Sequence, residues 1–131
     1  EKEQGLSHVF ADFIKNLIIE KKNPLPIFGD GEQVRCFTWI EDVANAIGEH
    51  SFSDKTDNEI YNLGNPEPIS MKDLAHLIYQ GADELKFETV RQYSDDVIIR
   101  IPDVTKAINE LGFKVTKKVK ESVQACLPKS N

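Results

Sequence analysis

The stretch Pro24-Leu25-Pro26-Ile27-Phe28-Gly29-Asp30-Gly31-Glu32-Gln33-Val34-Arg35-Cys36-Phe37-Thr38 decides how this chain reads. Leu25–Phe28 is a short apolar strand, and Gly29-Asp30-Gly31 breaks it as a turn. Val34–Thr38 reads as a second strand, paired with the first across that turn. Upstream, Ser7 reads as the N-cap of a helix carrying Phe10, Phe13, Ile14, Leu17 and Ile18 at helical spacing. Lys21 and Lys22 lie near its end, and Asn23-Pro24 stops it.

Downstream, Ile40, Val43, Ala44 and Ile47 mark a second helix, followed by the polar surface loop Ser51–Asn58. Glu59–Leu63 alternates like a strand and ends in the turn Gly64-Asn65-Pro66. Ser70 and Asp73 have the form of a capping box, opening a helix with Met71, Leu74, Ala75 and Ile78 on one face. Lys86–Val90 is a strand, and Arg91–Asp96 a polar loop. Asp103 caps a helix with Val104, Ala107, Ile108 and Leu111, closed by Gly112. Thr116 caps the last helix, which buries Val119, Val123, Ala125 or Cys126, and Leu127. Lys117 and Lys118 in its first turn oppose the helix dipole, so that end is frayed or paired. Helices outnumber strands and no repeat interrupts them: the fold class is mixed α/β, an α+β-like piece with several helices and short strands.

At 131 residues the chain has room for one domain, 1–131, with a modest core. Its 40% hydrophobic and 29% charged residues argue against wholesale disorder. A net charge of −6 gives no general attraction to nucleic acid or anionic membranes, so neither is an expected partner. An apolar run such as Leu17–Ile19 is far too short to cross a bilayer. Glu1–Gly5 lacks the order of a secretory signal, and Cys36 and Cys126 form no CxxC, which fits a reducing, cytoplasmic setting. The chain starts without Met on a polar lead into a helix, and so reads as a piece of something longer.

No self-sufficient catalytic set is visible. Neither GxGxxG nor GxxxxGK follows a strand, and His8, His50 and His76 are isolated, with no metal-ligand spacing. Asp95-Asp96 reads as a solvated acidic turn rather than paired catalytic carboxylates. Asp30 and Glu32 lack the further oxygens of a calcium loop, and Cys36 reads as a buried, inert thiol.

Three segments in register resemble the C-terminal half of the extended short-chain dehydrogenase/reductase family, the NAD-dependent nucleotide-sugar epimerases and dehydratases. Residues 24–44, from Pro24 through Gly29-Asp30-Gly31 and Arg35 to Asp42-Val43-Ala44, are similar to the pattern PlxifGdGxqxRdfxyVdDva. Tyr61-Asn62-Leu63-Gly64-Asn65-Pro66-Glu67-Pro68-Ile69-Ser70 is similar to YNvGsgepvs. Pro102-Asp103-Val104-Thr105-Lys106-Ala107 to Glu110-Leu111-Gly112-Phe113 is similar to xaDxskAxxeLGw.

The resemblance implies a substrate-binding part that normally packs on an N-terminal Rossmann domain. NAD or NADP would be bound by that other half and by nothing in this chain; the GxxGxxG turn and catalytic Tyr-x-x-x-Lys belong there too. Catalysis in the family begins with hydride transfer from the sugar to the nicotinamide, so this chain alone is expected to be inactive, with no catalytic residue. The implied partner is a UDP-, dTDP- or GDP-linked sugar, and the full-length enzyme is implied to be a homodimer. By motif position Pro26 and Phe28 flank or stack on the base, although by residue type alone Phe28 reads as core filler. Arg35 matches the arginine that reaches the diphosphate or ribose. Arg91, with Arg100 as rival, matches a second diphosphate arginine, and Asp96 or Asp95 the acid that meets a ribose hydroxyl. Asp42 reads as a brace for its helix. Cys36 stands where the family carries Asp, and Trp39 where Tyr is commoner.

The alternative is a stand-alone, non-catalytic module binding nucleotide sugars or a protein, and a third reading is a fold relic without ligand. Ile60–Leu63 separates the first two. In the family this strand joins the Rossmann sheet, whereas a stand-alone module would pair it within a small sheet of its own.

Overall fold

Leu25 and Ile27 alternate into the interior of β1 (Leu25–Phe28), while Pro26 is half-buried and Phe28 exposed. A computed structural model describes residues 8–91 and 97–128, with Arg91 described by its backbone alone. Before β1 runs α1 (Val9–Ile14), which widens into a π-helical turn over Lys15–Ile19 and directs Phe13 and Leu17 into the core. Ser7, the expected N-cap, lies outside the described residues, and His8 occupies the cap position without a side-chain bond.

The pairing of the strands departs from the expectation of a hairpin. β1 pairs in parallel with β4 (Phe87–Arg91), and β2 (Val34–Cys36) pairs antiparallel with β3 (Pro68–Ser70). Two features explain why the local turn does not set a hairpin. Pro26 offers no backbone N–H, which confines it to an edge strand. The loop 29–33 is drawn away to the start of α3 (Met71–Ile78), where Met71 N donates to Gln33 O and Lys72 N to Gly31 O, both at 3.1 Å.

α3 forms as its sequence predicts. Ser70 Oγ accepts from Asp73 N at 3.1 Å, and Met71, Leu74, Ala75 and Ile78 are buried on one face. They pack with Phe13, Leu17, Leu25, Ile27 and Leu85, and with Val119 and Val123 of α5 (Val119–Cys126). Truncating a fully buried residue such as Leu74 to Ala costs about 2–5 kcal/mol.

A smaller cluster joins Ala46 of α2 (Ile40–His50), Ala107 of α4 (Thr105–Leu111) and Phe113, with Tyr61 and Leu63 packed against it. α4 begins where Asp103 Oδ1 accepts from Thr105 N at 3.0 Å and ends at Gly112, whose φ of +67° suits glycine. On α2 the apolar spacing marks the outward side: Ile40 and Ile47 are 70% and 54% exposed, while Asp42 and Ala46 are buried.

Asp42 explains this orientation and corrects the reading of Thr116. Thr116 caps no helix; its N–H and Oγ1 donate to the two Asp42 carboxylate oxygens at 3.0 and 2.5 Å. α5 is capped instead at Lys118, whose N–H donates to Glu121 Oε2 at 2.8 Å, while Val119 N donates to Glu67 Oε2 at 2.9 Å. Two carboxylates thus offset the lysines at that positive helix end, so it is paired rather than frayed. Within α5, Ala125 and Cys126 are exposed, contrary to the expected burial of one of them.

Glu59–Leu63 is not a strand. It pairs with no strand among the described residues, and Ile60 is 84% exposed. Side chains hold it to α4: Lys106 Nζ bonds Glu59 Oε2 at 2.5 Å and Ile60 O at 3.3 Å, and Asn62 Nδ2 bonds Asp103 O at 3.1 Å. Tyr61 Oη donates to Glu110 Oε2 at 2.8 Å, with Lys106 Nζ 4.5 Å from the Tyr61 ring centroid. No helix among the described residues is long and apolar enough to cross a membrane.

Candidate functional site

The parallel ladder between β1 and β4 carries a register shift between Ile27 and Phe28, and beyond it Phe28 is paired with Arg91. Pro26 is paired with Glu88 in the same ladder. Core burial of Leu25 and Ile27 turns the alternate residues outward, which leaves Phe28 52% exposed. Phe28 thus lies outside the core of the described residues.

Arg35 sits in the middle of β2, half-buried. Its Nη1 donates to its neighbour's carbonyl, Val34 O, at 2.9 Å and to Ile98 O at 3.4 Å. The segment 97–100 returns beside β2: Val34 N donates to Ile98 O at 2.7 Å, and Arg100 N to Val34 O at 3.1 Å. Chain that leaves β4 at Arg91 therefore comes back beside Arg35. Asp95 and Asp96 fall in between and lie outside the described residues. Arg100 adjoins β2 through its backbone and is exposed.

The loop from Gly29 to Gln33 closes this end of the molecule. Thr89 Oγ1 of β4 donates to Gly29 O at 3.0 Å, and Asp30 Oδ1 accepts from Glu32 N at 3.0 Å. Lys72 Nζ meets Glu32 Oε1 at 2.8 Å, and that bond holds the Lys72 ammonium above the usual lysine range. Gln33 Nε2 donates to Phe28 O at 3.3 Å. Sequence reasoning passed over Gln33 and Lys72, because their partners depend on the path of the loop.

Cys36, beside Arg35, is half-buried rather than buried; desolvation first, and the Glu67 charge second, push its thiol above the usual range. His8, His50 and His76 do not converge, and no group of three His, Cys, Asp or Glu that could hold a metal ion occurs among the described residues. A concavity of about 570 Å³ lies elsewhere, lined by Asn65, Glu67, Val115, Lys117 and Glu121 among others, and neither Pro26, Phe28 nor Arg35 lines it. Its carboxylates are engaged in capping α5, as described above.

Comparison with known proteins agrees with the resemblance. The model of the NAD dependent epimerase/dehydratase family matches residues 1–64. UDP-glucuronic acid decarboxylase 4 of Arabidopsis thaliana is 32% identical over 112 residues, covering 81% of this chain and 23% of the plant protein. The structure of UDP-glucuronic acid 4-epimerase from Bacillus cereus, in complex with UDP-glucuronic acid and NAD, is similar with a TM-score of 0.75 at 26% identity, covering 91% of this chain and 38% of that one. That of UDP-glucose 4-epimerase from Thermotoga maritima with UDP-glucose gives a TM-score of 0.72 at 27% identity, covering 92% and 38%. The chain thus spans well under half the length of these relatives.

Proposed function

The chain belongs to the NAD-dependent epimerase/dehydratase family, within the extended short-chain dehydrogenases/reductases, and we propose that it is the part of such an enzyme that holds a nucleoside-diphosphate sugar. One observation carries the reading: Gln33, two residues before Arg35, donates to the Phe28 carbonyl at 3.3 Å, which ties the end of the β1–β4 ladder, where Phe28 pairs with Arg91, to the start of β2 and the returning segment 97–100. In this reading Phe28 is the platform for the base, with Pro26 flanking it. Arg35 and Arg91 neutralise the diphosphate, which lets a chain of net charge −6 take an anion. Asp96 meets a ribose hydroxyl.

These residues bind and orient the sugar, and none of them is assigned a chemical step. The turn at Gly29 and Gly31 follows a strand but leads into β2 rather than into a helix, so it does not fit a dinucleotide's diphosphate. We therefore place NAD or NADP on the part of the enzyme outside these residues, together with the acid and base. Domain 1–131 is in this reading a substrate domain, and the whole enzyme an epimerase, dehydratase or decarboxylase acting as a homodimer.

The alternative of a stand-alone module needs Ile60–Leu63 paired within a sheet of its own. The unpaired state of this segment, and the exposed Ile40, Ile47 and Ile60, favour a chain that packs on the remainder of a larger enzyme.

Calorimetric titration of the chain with UDP-glucuronic acid, dTDP-glucose and GDP-mannose tests the reading. Saturable binding of at least one, lost in Arg35→Ala, is the expected result. Absence of binding by all three overturns it.

A further inference from the structure

Gln33 ties the end of β1 to the loop that follows it. Its Nε2 donates to the Phe28 carbonyl at 3.3 Å, crossing so close over Gly29 that a Cβ there would collide with that same nitrogen. Chemistry fixes the orientation of the amide, because only its N–H can donate to a carbonyl. Oε1 is thereby left buried with no hydrogen-bond partner among the described residues. An unmet buried acceptor is costly, and its retention calls for a reason.

The other bonds of the loop supply one. Gln33 O is fixed by Met71 N and Gly31 O by Lys72 N, so the loop is anchored on α3, while Thr89 anchors Gly29 O on β4. Gln33 passes this rigidity on to Phe28, which sits just past the register shift and is 52% exposed. A ring held on a fixed backbone loses less freedom when a planar ligand stacks on it.

We infer that Gln33 is a positioning residue for a nucleotide base, setting Phe28 through its carbonyl without itself touching the ligand. The inference rests on the reading of Phe28 as the base platform. The chain is titrated with two probes, UDP and inorganic diphosphate, in the wild type, Gln33→Met, Phe28→Leu and the double variant. Methionine keeps the length and removes the donor. Gln33→Met is expected to raise the Kd for UDP about tenfold and leave that for diphosphate unchanged. The double variant is expected to bind UDP no worse than Phe28→Leu alone, because both changes act through one ring.

UDP affinity unchanged in Gln33→Met, effects that multiply in the double variant, or equal loss of diphosphate would each overturn the inference. If Gln33→Met does not fold, Gln33→Glu serves, being the same length and unable to donate at neutral pH. A wild type that binds no UDP overturns the base-platform reading as well, whereas UDP binding indifferent to Gln33 overturns this inference alone.

Discussion

Phe28 and Arg91 are paired residues at the end of the parallel β1–β4 ladder, immediately past the shift in its register. The pairing matters to the proposed reading, in which Phe28 serves the base and Arg91 the charge of a nucleoside diphosphate. Neither residue is close to the other in sequence. β4 brings them together.

Arg35→Ala is expected to weaken binding of UDP-glucuronic acid by about 10- to 100-fold, the worth of charge-assisted hydrogen bonds. The melting temperature should change little, since Nη1 bonds carbonyls at 2.9 and 3.4 Å that water can serve. Arg35→Lys keeps the charge but not the fork, and should recover only part of the affinity. Equal loss of binding and thermal stability would make Arg35 structural.

Asp42 is expected to behave as a strut. Its buried carboxylate takes both hydrogens that Thr116 offers, and Asp42→Ala should cost about 2 kcal/mol in urea unfolding. Thr116→Val keeps the shape but strips one donor from a buried carboxylate, so it too should destabilise, while Thr116→Ser should not. Wild-type stability in Thr116→Val would remove the strut.

The two cysteines should separate on alkylation. Burial and Glu67 raise the Cys36 thiol, so less of it is thiolate, the reactive form, whereas Cys126 is exposed. Iodoacetamide is expected to label Cys126 first, as read by peptide mass. Labelling of Cys36 ahead of Cys126 would contradict the packing of β2 against β3.

At the start of α4, hydrogen bonds from Thr105, first from its backbone N–H, hold the Asp103 carboxyl below the usual aspartate range. A depressed carboxyl contributes stability that is present above its unfolded pKa and lost as pH falls through the folded value. Protection of the Ile108 amide, whose N–H bonds Val104 O, taken as its exchange rate relative to the intrinsic rate at each pH, should therefore fall on acidification towards about pH 3, and that loss of protection should vanish in Asp103→Asn. Exchange that follows the intrinsic rate alone across that range would count against the cap.

Much of this was legible locally. α3 combines a serine cap with apolar residues at helical spacing, and all its determinants lie within its own residues. The alternation of Leu25 and Ile27 likewise set which side of β1 is buried. Partners were not legible. The turn after β1 implied a hairpin, but α3 claims the loop, Pro26 suits an edge, and β4 arrives from far along the chain. Ile60–Leu63 has the alternation of a strand, yet an extended segment becomes one only when another strand pairs with it. Thr116 has the residue type of a cap, and its hydrogens go to a carboxylate 74 positions away. At the proposed site, Phe28 and Arg35 are assigned through the surrounding motif, while Gln33 depends on a crossing over Gly29 that no local pattern reveals. Asp96 lies outside the described residues.

The most direct measurement is a ¹H–¹⁵N titration of the chain with UDP-glucuronic acid. The account predicts saturable shifts, with Kd below about 1 mM, centred on the amides of Phe28, Gly29, Arg35 and Arg91. Shifts confined to the concavity beside α5, or no shifts at all, would contradict it.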